Sequence, residues 1–154
     1  MSSIDAEYGA WLAELRSAAA LEPAERSALF ERSKHIKIRS PDEADALAIV
    51  LAETTDGLAL DLLVVEPLDA LARELASAAR PWHFSATALQ HWRRAYHALG
   101  SQSKVAARVL RLLATEGSPA ALALFAESIV AAPPTTPAEL LVAFAPLLRR
   151  KPLA

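Results

Sequence analysis

The sequence predicts an all-α fold of eight to nine antiparallel helices, either α-solenoid-like or an irregular helical bundle. Three observations carry that expectation. Alanine is near a quarter of the 154 residues and leucine about a sixth, and both are strong helix formers. Helix-start signatures recur: Glu22-Pro23-Ala24-Glu25, Ser40-Pro41-Asp42-Glu43, Glu66-Pro67-Leu68-Asp69 and Thr136-Pro137-Ala138-Glu139, with Ser118-Pro119-Ala120-Ala121 as a version lacking the acid. Proline suits a first turn, where its missing N–H has no partner anyway, and the acid faces the positive end of the helix dipole. Between these starts, apolar residues recur at helical spacing.

A first helix is expected from Ile4 to Ala20, with Ile4, Tyr8, Trp11, Leu12 and Leu15 on one stripe. Leu21-Glu22-Pro23 breaks it, and a second runs to Arg32 around Leu29 and Phe30. Lys34 to Arg39 alternates with period two, which suits an extended connector or a short edge strand. A third helix starts at Pro41, and Thr54-Thr55-Asp56-Gly57 reads as a turn. Leu58 to Val65 reads as a short helix capped by Asp56, or as the second arm of a β-hairpin with Leu47 to Ala52. Pro67 opens a helix to Ala79. Ser85 caps one that Gly100 stops, and Ser103 opens another that ends at Gly117. Ser118 and Pro119 begin the next, to Ala132. The 133–137 corner then leads into a last helix interrupted by Pro146.

Composition narrows the function. One helical domain spanning 1–154 is expected, divisible into an acidic half, 1–80, and a basic, repeat-like half, 81–154. The first half holds 15 acids against 8 Lys and Arg, and the second 3 against 8. The absence of cysteine excludes disulfides, zinc–thiolate sites and thiol nucleophiles. Four glycines leave little room for phosphate-cradling loops. The start, Met1-Ser2-Ser3-Ile4-Asp5, has no basic-then-apolar leader, and the longest apolar run, Leu140 to Leu148, falls far short of a membrane span. A cytoplasmic protein without membrane contact is expected. No catalytic motif, cofactor or small-molecule substrate is implied.

From Ser103 to Leu148 the pattern goes further. Val105, Ala106, Val109, Leu110, Leu112 and Leu113 form one helix, and Gly117-Ser118-Pro119 a tight turn. Leu122, Phe125, Ala126, Ile129 and Val130 form a second, and Leu140, Leu141, Phe144 and Leu147 begin another. This stretch resembles HEAT and armadillo-type α-solenoid repeats. Pro23 to Pro41 and Pro119 to Pro137 each span 18 residues, so two helices make a unit in the range of about 34–47 residues of such repeats. The resemblance implies a scaffold that binds proteins or nucleic acids along one face.

Two surfaces follow as candidates. Between Glu139 and Arg149 no side chain carries a charge or a hydrogen-bonding group. A helix apolar all round is buried on every side, or covered by a partner. Leu140, Leu141, Phe144 and Leu147 are therefore the expected site for a protein partner or for self-association. The alternative is a polyanion site of Arg93, Arg94, Lys104, Arg108 and Arg111, edged by Trp82 and His83, in which cations neutralise phosphates and rings stack on bases. His91 and His97, six apart, lack the i, i+4 spacing of a metal pair. Trp92 and Tyr96 suit core anchors. Most acids read as helix-start caps, and Asp61 as a solvated or paired carboxylate. The leading expectation is a non-catalytic helical-repeat scaffold or adaptor. The alternative is a nucleic-acid-binding helical-repeat module using the basic half.

Overall fold

The computed structural model of the protein describes residues 6–17, 20–32, 37–38, 40–57, 65–77, 82–99 and 103–148. Eight helices occupy them: α1 (Ala6–Arg16), α2 (Pro23–Glu31), α3 (Pro41–Gly57), α4 (Val65–Ser77), α5 (Ala86–Leu99), α6 (Ser103–Glu116), α7 (Pro119–Ala131) and α8 (Pro137–Leu148). No strand occurs among the described residues. The fold is all-α.

Local chemistry sets most helix starts. Ser40 Oγ accepts from the Glu43 N–H at 3.2 Å, Ser85 Oγ from Ala88 at 3.1 Å, Ser118 Oγ from Ala121 at 3.2 Å, and Thr136 Oγ1 from Glu139 at 3.2 Å. Each hydroxyl satisfies one of the donors that a helix N-terminus leaves open. α2 begins without a side-chain cap, on Pro23 alone. Gly117, at φ 74°, ends α6 in the left-handed region, and its N–H returns to the Leu113 carbonyl.

Three boundaries differ from the sequence expectation. Thr54-Thr55-Asp56-Gly57 is the last turn of α3, not a break. Thr54 is buried, and its hydroxyl donates to the Val50 carbonyl at 2.8 Å with the Leu15 carbonyl at 3.3 Å, so it fastens α3 to α1. Leu47 to Ala52 is helical within α3, so a hairpin lacks its first arm. α4 opens at Val65, two residues before Pro67, which leaves Asp69 beyond the first turn. α8 continues through Pro146 to Leu148, although proline removes the N–H that the Val142 carbonyl would accept. Ile4, Lys34 to Ile36, Arg39, residues 58–64 with Asp61, and Gly100 lie outside the described residues, so the expected ninth helix does too; of the connector, Lys37 and Ile38 are described, Lys37 exposed and Ile38 buried.

Packing follows one rule. α1 packs on α3, α3 on α5 and α5 on α7, while α2 packs on α4, α4 on α6 and α6 on α8. Odd helices form one row and even helices the other, and α3–α4, α5–α6 and α6–α7 contacts join the rows. Most long-range side-chain hydrogen bonds share this periodicity, Arg32–Glu14 at 18 residues being an exception. Tyr8–Glu43, Ile38–Glu74, Thr54–Leu15, Phe84–Glu116, Ser85–Asp45, Arg93–Glu127 and Arg108–Asp69 span separations of 32 to 40 residues. Two helices and their turns fill that length. Partners also sit at matching heights: Asp69 is the fifth residue of α4 and Arg108 the sixth of α6. Helices in a row therefore run parallel, while sequence neighbours reverse.

The core runs continuously from Tyr8 to Ala143. α1 supplies Tyr8, Trp11, Leu12 and Leu15 at helical spacing. α6 is covered by α4, α5, α7 and α8, so Val105, Val109, Leu110, Leu112 and Leu113 are all fully enclosed. Each enclosed leucine contributes about 1.5–3 kcal/mol relative to an exposed one. Trp92 and Tyr96 of α5 lie in this core.

Candidate functional site

The terminal pair α7–α8 presents the apolar surface. α8 lies on α6 through Ala143, which is fully buried. Phe144 and Leu147 pack partly against the core, and the Phe144 ring meets Phe125 of α7 edge-on, with centroids 5.2 Å apart. Leu140 is half-buried. Leu141 points outward at 61% exposure, joined by Leu148 at 70% and Val130 at 83%. Among the described residues, these three are the exposed large hydrophobic side chains. The sequence singled out Leu141 but not Val130 or Leu148. Val130 is solvent-facing because α7 turns Leu124, Phe125 and Ser128 inward.

The cations divide between the rows. Arg93 and Arg94 are exposed on α5, and Arg93 Nε donates to Glu127 Oε2 of α7 at 2.9 Å. Lys104, Arg108 and Arg111 form one stripe on α6. Arg108 lies 3.4 Å and Arg111 3.9 Å from the carboxylate of Asp69 on α4. Two guanidiniums thus share a single carboxylate. Burial raises the Asp69 pKa above the ordinary range, opposed by Arg108, Arg111 and Arg73 and assisted by Glu66. Trp82 is half-buried and packs against the core.

Two grooves flank this stripe. One, of about 530 Å³, lies between α6 and α8 and is lined by Lys104, Ala107, Arg108, Ala138, Glu139 and Val142, with Thr136 at its end. The other, of about 520 Å³, lies between α4 and α6, lined by Ala72, Arg73, Ala76, Arg111, Ala114 and Thr115, and reaches Ser77 and Pro146. Both have small apolar floors and basic rims.

The three described histidines do not converge. His83 Nδ1 is 3.0 Å from Glu116 Oε1, while His91 Nδ1 faces the Thr87 carbonyl at 2.9 Å and its Nε2 faces Glu53 at 3.6 Å. His97 is exposed. Among the described residues no three His, Asp or Glu side chains gather as a metal site would require.

Comparison with family models, with curated proteins and with solved structures gave no match.

Two carboxylates join elements: Asp45, which the sequence read as a helix-start cap, and Glu116, at the end of α6. Asp45 of α3 accepts from the Ser85 N–H at 2.7 Å and from its hydroxyl at 2.8 Å, which clamps the starts of α3 and α5 together. Glu116, its side chain fully enclosed, accepts from the Phe84 N–H at 3.0 Å and the Ser118 N–H at 2.7 Å. It holds the segment before α5 against the α6–α7 turn. No helix among the described residues is long and apolar enough to cross a membrane.

Proposed function

We propose that the protein is a non-catalytic scaffold of HEAT-like helical pairs that engages another protein through the α7–α8 end. The observation that carries this reading is the exposure of three large apolar side chains, Leu141 and Leu148 on α8 and Val130 on α7. α8 carries no charge from Leu140 to Leu148. Leu141 and Leu148, seven residues apart, share one face of it, and exposed apolar faces mark interaction surfaces. The two-row packing and the 32-to-40-residue spacing of the tertiary hydrogen bonds support the repeat part of the reading.

The test compares the parent protein with a Leu141→Glu, Leu148→Glu double variant. Both positions are exposed, so folding is retained, as circular dichroism will report. A defined protein recovered by the parent, lost with the variant and re-bound from purified components is the expected result. Identical recoveries for parent and variant, with both monomeric by light scattering at every concentration, would sink the reading.

A further inference from the structure

We infer that the outer face of the even row is a second interaction surface, and that it takes an extended acidic peptide segment with apolar anchors on either side of its carboxylates. The groove floors fix the anchors. Ala107, Ala138 and Val142 line one groove, and Ala72, Ala76 and Ala114 the other. Ala138 and Ala76, exposed in the two grooves, give aliphatic side chains apolar surface to lie on. Ala107 and Ala114 are two turns apart on α6, about 10 Å along its axis. An extended chain covers that distance in about three residues.

The ridge between the grooves fixes the charge. Arg108 borders the first groove and Arg111 the second, and the two share Asp69. One carboxylate cannot match two guanidiniums, each of which has a planar fork suited to a carboxylate of its own. Lys104 extends the stripe at the opposite end. A ligand carboxylate placed over the ridge completes the pairing.

A peptide fits these walls better than a nucleic acid strand. Among the described residues, neither groove is lined by an aromatic ring on which a base could stack, and Trp82 borders neither.

The inference is independent of the α7–α8 end, and its test leaves Val130, Leu141 and Leu148 untouched. Displayed random peptides of about 12 residues, long enough to span both grooves when extended, are selected on the full chain. They are counter-selected on an Ala76→Trp, Ala138→Trp double variant. Both alanines are exposed groove residues, so tryptophan fills the grooves and leaves the Asp69 pairs intact. The expected consensus places Asp or Glu between apolar residues. Replacing those acids by amides should weaken binding about tenfold, as loss of a charge-assisted hydrogen bond would. Three results would overturn the inference: a consensus without acids, peptides that bind the double variant equally well, or displacement of the selected peptide by oligothymidylate.

Discussion

At the scale of single residues, the side chain with most to lose is Glu116. It is enclosed, and two backbone N–H groups and His83 converge on it. Removing an acceptor from buried donors costs the full desolvation of each. Glu116→Ala should therefore lower unfolding free energy by about 3 kcal/mol in urea titrations, and Glu116→Gln, which keeps one acceptor oxygen, by less. Tyr8 supplies a pH signature. Burial, reinforced by the nearby carboxylates of Glu43 and Glu74, raises its phenol pKa above the ordinary value. The unfolded phenol ionises near pH 10, before the folded one does. Its contribution is complete below about pH 10 and is lost as pH rises through the folded value. Denaturant titrations from neutral to strongly alkaline pH should show that decline, and Tyr8→Phe should flatten it. The sequence disclosed the caps at Ser40, Ser85, Ser118 and Thr136 because donor and acceptor lie three residues apart. It hid Glu116 and Asp45, whose partners lie 32 and 40 residues away, behind the same residue types that serve as caps.

Elements differ by how many neighbours enclose them. α6 is covered on four sides, and α8 chiefly by α6. Leu113→Ala should cost about 2–5 kcal/mol by chemical denaturation. Leu141→Ala, at an exposed position of α8, should cost less than about 0.5 kcal/mol. Pro146 bears on α8 alone. Replacing it with alanine restores an N–H for the Val142 carbonyl and a better helix former, so Pro146→Ala should stabilise by about 1 kcal/mol and raise the thermal midpoint. An unchanged or lower midpoint would mean that α8 relies on the proline for its seating. Helix positions were legible because apolar spacing and proline starts are local signals. The ends were less so. Thr54 reads as a turn former until its hydroxyl is seen on the Val50 and Leu15 carbonyls, a bond that joins two helices.

For the whole molecule, the proposed repeat reading makes stability a sum over neighbours, with α6 the best-covered member of the rows. Hydrogen exchange should accordingly be graded. Amides of α4 to α6 should be the slowest, and those of α1 and α2, the row ends with the least packing, the fastest. Uniform exchange across all eight helices would contradict that view. The rows themselves were only half visible in sequence. Two 18-residue proline intervals suggested the period, and no residue pattern announced that helices two apart would be the ones to touch. The candidate surfaces divide the same way. The charge-free stretch 140–148 could be read directly, whereas the grooves beside α6 depend on Asp69 arriving from α4 to meet Arg108 and Arg111.

The spacing of the tertiary hydrogen bonds has a mechanical side. Those that join one helix pair to the next reach across at most 40 residues, so tension applied between α1 and α8 meets the interfaces in series and not all together. Pulled in that way, the protein should lengthen in steps, one helix pair peeling from an end while the remainder stays folded. Released, each pair would find its seat on the pair beside it without waiting for the far end of the chain.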